Sequence, residues 1–158
     1  MLDKNRAVDP KKLKRQLFIN GQFVDAADGG TIEVTNPHDG SKLVDIAEAQ
    51  ATDVDYAVSA ARTAFTAWGK SNGADRAQLL HKLADALEAN FDEFTELEAL
   101  DTGHPIKDTQ RLDLPRTLLN FRYFAGIADK IDGRQVPVEP GFLNVVKRQA
   151  VGVVGQIV

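Results

Sequence analysis

Cysteine is absent from the 158-residue sequence. Disulfide bonds, cysteine-ligated zinc and thiol catalysis are therefore excluded within these residues. The absence of cysteine is compatible with a cytoplasmic protein, and the cytoplasm is the location that we expect. No apolar run approaches the roughly 20 residues that a transmembrane helix needs, so we expect no membrane partner.

Signatures of catalysis and phosphate binding are also scarce. None of the three serines lies in a nucleophile-elbow pattern, and no two histidines have metal-ligand spacing. Neither GxGxxG nor GxxxxGKS/T occurs. Gly152-x-x-Gly155 is more typical of a close-packed strand than of a phosphate loop. Taken by themselves, the residues indicate no complete active site.

Charge is unevenly distributed along the chain. Residues 1–16 carry a balance of +4 and the remaining 142 residues a balance of −8, which gives −4 overall. The acidic body argues against a nucleic-acid partner, and the basic head is too short and unpatterned to bind one. The head also lacks the composition of a secretory or mitochondrial leader. We predict that residues 1–16 form a flexible, solvated arm.

Short strands separated by turn residues open the rest of the chain. They predict two β-hairpins, Leu17–Ile19 with Gln22–Val24 and Thr31–Thr35 with Lys42–Ala47. Asn20-Gly21 accepts the positive φ angles of a type I′ turn. Pro37 and Gly40 mark the second turn.

Apolar residues then recur at spacings of three and four, which predicts four helices. Thr52 is the expected N-cap of the first helix, and the second begins near Asp75. Asn90 starts the third as a capping-box variant, and Gly103 ends it. The fourth covers residues 113–131. Its small residues predict close packing, namely Ala125, Gly126 and Ala128.

The pattern returns to strands after residue 131. Gln135–Val138 and Phe142–Lys147 predict a third hairpin. Val151–Val158 is a β-branched run typical of a buried strand in a parallel sheet, and such a strand requires a crossover connection. We therefore expect the chain to be the front part of a larger α/β protein.

Three charged residues have open interpretations. Asp101 lies at a predicted helix C-terminus, where the helix dipole opposes an acid, so it belongs either to a solvated face or beside a cation. Arg116 is either a surface residue or a contact for an anionic ligand. Arg122 is a candidate for a buried ion pair.

Six segments follow one another in a characteristic order. They are Leu17-Phe18-Ile19-Asn20-Gly21 with the Thr35-Asn36-Pro37 turn, Asp53-Val54-Asp55 leading to Trp68, Arg76 to Ala84, Glu98 to Pro105, Arg122 to Lys130, and Gly152-Val153-Val154-Gly155-Gln156-Ile157. In this order they resemble the amino-terminal part of the NAD(P)-dependent aldehyde dehydrogenase superfamily, over about residues 16–158.

The resemblance implies an α/β fold composed of β-hairpins, a four-helix region, a protruding β-ribbon and the first strand of an incomplete parallel sheet. Residues 17–131 would be the amino-terminal part of a cofactor-binding domain. Residues 132–150 would be an oligomerisation hairpin, and residues 151–158 the first strand of a Rossmann-like sheet.

The resemblance further implies oxidation of an aldehyde to a carboxylic acid with NAD or NADP. In the family the nucleophilic cysteine and the general-base glutamate come later in the chain. We therefore expect residues 1–158 to be inactive alone. The implied partners are further copies of the chain or the carboxyl-terminal part of the enzyme, with a small aldehyde as substrate.

Family site roles map onto a few residues that are present. Ile157 and Val158 resemble the strand end that lies against the dinucleotide. Val34 and Thr35, through backbone carbonyls, and Asp101 resemble a monovalent-cation site. Arg116 lies where the family's helix approaches the substrate entrance, and we hypothesise that it favours aldehydes bearing a carboxylate.

Two alternatives remain at the level of the sequence. One is a short non-catalytic protein that binds full-length subunits through a ribbon at residues 132–148. The other is a structural relic without activity.

Overall fold

The computed structural model describes residues 8–157, in which two small sheets are followed by a run of helices and then by a third small sheet. The strands are β1 (Leu17–Ile19), β2 (Gln22–Val24), β3 (Thr31–Thr35), β4 (Lys42–Ala47), β5 (Arg134–Val136) and β6 (Asn144–Val146). The helices are α1 (Ala51–Trp68), α2 (Gly73–Ala89), α3 (Phe91–Thr102), α4 (Ile106–Asp108) and α5 (Leu114–Ile127). A 3₁₀ turn spans Pro10–Lys12 and a π-helical turn spans Thr109–Asp113.

Both predicted hairpins near the start of the chain are confirmed. In the β1–β2 turn, Asn20 has φ 52° and Gly21 has φ 77°, the left-handed pair that a type I′ turn requires. The β3–β4 hairpin is also antiparallel, and its register shifts between Val34 and Thr35. The shift leaves Leu43 of β4 without a partner on β3, so the extra residue of this β-bulge lies on β4.

The predicted flexible arm makes defined contacts over residues 8–16. The Val8 N–H donates to Glu96 Oε2 at 2.8 Å, and the Ala47 N–H donates to the Arg15 carbonyl at 2.8 Å. These bonds tie the segment to α3 and to the end of β4. Residues 1–7 lie outside the described part.

The helix starts differ from those expected. Gln50, not Thr52, is the N-cap of α1. Helix α2 begins at Gly73, because the Asn72 side chain accepts a hydrogen bond from the Asp75 N–H at 2.8 Å. Asn90 does not cap α3 with its side chain, since its amide donates instead to the Ala86 carbonyl at 2.8 Å. The left-handed Gly103 ends α3 with φ 75°, as predicted.

The helical segment that contains the fourth predicted helix begins before residue 113, consists of three pieces and ends earlier than expected. Helix α4 leads into the π-helical turn, which continues into α5, and α5 stops at Ile127 rather than residue 131. Pro115 lies in the first turn of α5. It is tolerated there because the first helical N–H groups have no partner within the helix.

The most extensive helix packing joins α2 to α5. Ala84 on α2 is fully buried, and Ala125 and Ala128 at the end of α5 are 2% and 8% exposed. Small side chains at these positions let the helix backbones approach closely, as expected from the sequence. Gly126 contradicts that expectation, since no atom of residues 8–157 outside its own stretch of helix lies within 4 Å of where its Cβ would be.

Several of the apolar residues that recur at helical spacing are exposed. Leu79, Leu83 and Phe94 are 52%, 47% and 45% exposed, because no element among residues 8–157 covers them. The apolar spacing of these helices is real, but the packing that it anticipates is incomplete within these residues. None of the described helices has the length and apolar character to cross a bilayer.

The last part of the described chain differs most from expectation. Strands β5 and β6 form the third hairpin with shorter strands than predicted. Residues 151–157 form no strand and pair with no strand in the described part. Val151 and Ile157 are 93% and 101% exposed, so the predicted burial is wrong for this structure. A strand needs a neighbour to complete its hydrogen bonds, and residues 8–157 supply none there. That the segment begins a parallel sheet stays a prediction.

Candidate functional site

Arg116 lies on an exposed face of α5 and the π-helical turn before it. Leu112, Leu119 and Tyr123 share that face at spacings of four, three and four, and they are 61%, 67% and 60% exposed. Arg116 is itself exposed, and no hydrogen bond or ion pair to it occurs within residues 8–157. The face is therefore an apolar stripe that carries one uncompensated guanidinium.

Arg122 shows the opposite arrangement. Its Nη2 lies 2.6 Å from Glu88 Oε2 and 3.2 Å from Asp85 Oδ1, both on α2. The predicted ion pair exists, but it is half exposed rather than buried, with 42% of the Arg122 side chain accessible. Arg122 thus joins α2 to α5, whereas Arg116 is left available to a group outside the described residues.

The three residues expected to hold a monovalent cation lie on two neighbouring elements. Val34 and Thr35 flank the β-bulge, and Asp101 lies on the last turn of α3, exposed. A Cβ at Gly103 would lie 3.0 Å from Pro37 Cγ, so the β3–β4 turn touches the end of α3. The unpaired residue of the bulge is Leu43 on the facing strand, whereas Val34 and Thr35 are both paired in the ladder. Backbone carbonyls are among the oxygen ligands that a hard cation prefers. No cluster of three or more acidic or histidine ligands occurs in the described residues.

His104 is a member of an ion pair that the sequence did not reveal. Its Nδ1 lies 3.1 Å from Asp113 Oδ2, across the α3–α4 loop and the π-helical turn. This hydrogen bond, reinforced by the charges of Asp113, Glu98 and Asp108, raises the pKa of His104 above its usual value. The pair is nine residues apart with a proline between, so no helical spacing signals it.

Asp53 is the second residue whose role went unrecognised. It is 7% exposed, and its Oδ2 accepts from the Gln50 N–H at 2.9 Å. Its Oδ1 accepts from the Ala27 N–H at 3.0 Å, in the loop between β2 and β3. The signal that could have revealed it is the Gln50-x-x-Asp53 spacing, a variant of the capping box.

The residues expected to contact a dinucleotide lie at the end of the chain. The Ile157 side chain is fully exposed, and Val158 lies outside the described residues. An exposed apolar side chain fits one wall against a nucleotide ring. No glycine-rich phosphate loop accompanies it within the sequence.

Known proteins are similar to this chain both in sequence and in the arrangement of helices and strands. The Aldehyde dehydrogenase family profile matches residues 23–158. The chain belongs to the aldehyde dehydrogenase family. The mitochondrial aldehyde dehydrogenase of Leishmania tarentolae is 44% identical over 146 residues, which are 92% of this chain and 29% of that relative.

Solved structures match the fold. PnpE in a complex with nicotinamide adenine dinucleotide has a TM-score of 0.81 at 55% identity, and PnpE from Pseudomonas sp. WBC-3 has a TM-score of 0.80 at 55% identity. The match covers 84% of this chain and 27% of PnpE. An NAD⁺ complex of a Bacillus cereus aldehyde dehydrogenase has a TM-score of 0.82 at 39% identity, over 92% of this chain and 30% of that one.

These matches confirm the predicted family and the fold class, a mixed α/β amino-terminal part of an aldehyde-dehydrogenase-like fold. The chain spans about 30% of the length of the curated relatives that it matches. The face around Arg116, the bulge at Val34 and Thr35, and Ile157 are therefore the candidate site elements that residues 8–157 contribute.

Proposed function

We propose that this chain supplies the amino-terminal part of an NAD(P)-dependent aldehyde dehydrogenase that oxidises an aldehyde to a carboxylic acid. The observation that supports the proposal is the family match over residues 23–158. In addition, one solved family structure is 57% identical to this chain. The nicotinamide would accept the hydride. The attacking thiolate would have to come from another polypeptide segment, because these 158 residues contain no cysteine.

The residues of this chain would bind and orient rather than react. Ile157 and Val158 would form an apolar wall against the dinucleotide. Val34 and Thr35, through carbonyl oxygens at the bulge, and Asp101 would hold a monovalent cation that fixes the β3–β4 turn against α3. The choice between NAD and NADP stays open, and the cytoplasmic location stays a prediction.

Arg116 would select the substrate class. An unpaired guanidinium in an apolar stripe can bind a carboxylate through two parallel hydrogen bonds while Leu119 and Tyr123 contact the carbon chain. We therefore propose a small aldehyde that also bears a carboxylate as the preferred substrate. A neutral aldehyde carries no carboxylate and would therefore leave the Arg116 guanidinium without a counter-charge.

A chimera tests the proposal. Residues 1–158 would replace the matching segment of PnpE, which is 55% identical, and NAD reduction would be measured with an anionic and a neutral aldehyde of equal length. We expect activity with preference for the anionic aldehyde, and none from the 158-residue chain alone. A folded chimera that binds NAD but oxidises neither aldehyde would contradict the proposal.

A non-catalytic role is the second candidate, and the β5–β6 ribbon favours it. Phe142 and Leu143 at its tip are 76% and 72% exposed, which is unusual for large apolar side chains. The ribbon at residues 132–148 would then pair with another copy of the chain or with a full-length subunit. Turnover by the chimera would favour the enzyme, whereas association without turnover would favour this alternative.

A further inference from the structure

The junction between α3 and α5 places one histidine among carboxylates. His104 follows the left-handed Gly103, and its Nδ1 is 3.1 Å from Asp113 Oδ2. Asp113 is the last residue of the π-helical turn and directly precedes α5. The His104–Asp113 contact therefore closes the loop that contains α4 and the whole π-helical turn.

The charges around His104 come from three elements. Asp113 belongs to the π-helical turn, Glu98 to α3 and Asp108 to α4, and all three stabilise the imidazolium form. Lys107 and Arg111 lie in the same loop, but neither forms an ion pair within residues 8–157. Protonated His104 is thus the cation that compensates the carboxylates at this junction.

The backbone enclosed by the contact is a rare one. A π-helical turn holds an extra residue relative to an α-helix, and such turns occur mostly as single turns inside α-helices, frequently at functional sites. Because each α-helical residue rotates the chain by about 100°, the extra residue sets the orientation of α5. Arg116 lies three residues beyond Asp113, and the turn fixes its direction relative to α3.

We propose that protonated His104 is a pH-dependent clasp that holds the π-helical turn and thereby positions Arg116. Neutral His104 retains at most an uncharged hydrogen bond to Asp113 and leaves three carboxylates without a cation. The clasp needs no substrate. Only its consequence for aldehyde selection rests on the proposed function.

The pH window is set by the direction of the shift. The folded-state pKa of His104 is raised, chiefly by the hydrogen bond to Asp113. The clasp is therefore complete below the ordinary histidine pKa of about 6.5 and is lost as the pH rises through the raised value.

The test uses the 158-residue chain and nuclear magnetic resonance. Histidine ring resonances report the titration of His104, and amide-exchange protection factors, corrected for the intrinsic effect of pH, report residues 109–117. We expect these protection factors to fall roughly threefold as His104 deprotonates, the scale of an exposed ion pair. The backbone amide resonance of Arg116 should shift with the same midpoint.

Two variants separate a charged clasp from a merely structural histidine. His104→Lys keeps the cation and should keep residues 109–117 protected both below and above the pH at which wild-type His104 deprotonates. His104→Gln should lower the protection of these residues on both sides of that pH. Asp113→Asn should lower the titration midpoint of His104. His81→Lys, an exposed histidine on α2, is the matched control and should change nothing at the junction.

The proposal is overturned if His104→Lys shows the same pH response as the wild type, or if Asp113→Asn leaves the titration of His104 unchanged. If every variant loses the π-helical turn, the titration of the wild-type chain still tests the proposal. A midpoint for the shift of the Arg116 backbone amide that differs from the titration midpoint of His104 would refute coupling between the two residues. Either result leaves the proposed aldehyde oxidation intact, since the chimera assay measures that separately.

Discussion

The Asp53 carboxylate and the Ala27 backbone N–H join two parts of the chain that lie 26 residues apart. Asp53 Oδ1 accepts from Ala27 at 3.0 Å while Oδ2 accepts from the Gln50 N–H, so one buried carboxylate caps α1 and fixes the loop between β2 and β3. Among the helices and strands of residues 8–157, α1 contacts chiefly β1. The placement of α1 against the first hairpin therefore depends strongly on this side chain.

Substitution of Asp53 should measure that dependence. We expect Asp53→Ala to lower the free energy of unfolding by about 2 kcal/mol, because it removes an N-cap contact and leaves two backbone N–H groups unpaired. Asp55→Ala, an exposed carboxylate in the same turn, is the control and should change stability by less than about 0.5 kcal/mol. The measurement is urea denaturation followed by circular dichroism. Equal effects of the two substitutions would show that Asp53 acts only through its charge.

Turns, hairpins and helix ends were predictable from the sequence where they depend on neighbouring residues alone. The Asn20-Gly21 turn requires positive φ at both residues, and the ladder from Thr31 to Ala47 results from alternating side chains beside a turn. Gly103 ends α3 because glycine alone adopts its backbone conformation without strain. In each case a few adjacent residues determine the conformation.

Contacts between distant residues were not predictable. Asp53 with Ala27 and His104 with Asp113 depend on how elements pack, and residue spacing does not encode that. Residues 151–157 do not form the predicted strand, for a different reason. Their β-branched composition indicates a strand, but a strand also needs a neighbouring strand with which to pair. An ion pair was predicted for Arg122, but its partners Asp85 and Glu88 on α2 were not, since they lie more than 30 residues earlier in the chain.

The close approach of α2 to the end of α5 gives a second prediction. A Cβ at Gly73 would lie 2.5 Å from Asp129 Cα and 2.8 Å from the Ala128 carbonyl oxygen. Gly73→Ala therefore forces the backbones apart, and we expect it to lower stability by about 1–3 kcal/mol.

Gly126→Ala is the matched control within α5. Within residues 8–157, no atom outside its own stretch of helix lies within 4 Å of its Cβ position, so the greater helix propensity of alanine should raise stability by up to about 1 kcal/mol. Thermal melts of both variants give the comparison. A Gly73→Ala variant as stable as the wild type would show that the contact between α2 and residue 129 relaxes freely.

Arg116 gives the third prediction, in the PnpE chimera. Arg116→Ala should raise KM for the anionic aldehyde about tenfold or more, because a charged hydrogen-bonded contact contributes about 1.5–3 kcal/mol. The neutral aldehyde of equal length should be nearly unaffected, and kcat should change little. Arg111→Ala removes an exposed cation five residues earlier and serves as the control. Equal changes in KM for both aldehydes would refute a role in substrate choice.

The exposed tip of the β5–β6 ribbon gives the fourth prediction. Phe142 and Leu143 are 76% and 72% exposed, and a two-stranded ribbon with such side chains is marginally stable without a partner. We expect the 158-residue chain to self-associate in analytical ultracentrifugation, and Phe142→Ser with Leu143→Ser to shift it toward the monomer. Ile32→Ser, which changes a 49% exposed side chain on β3, is the control and should leave association unchanged. A wild-type chain that sediments as a monomer at all concentrations would contradict the ribbon as an assembly surface, and an equal effect of Ile32→Ser would place association elsewhere.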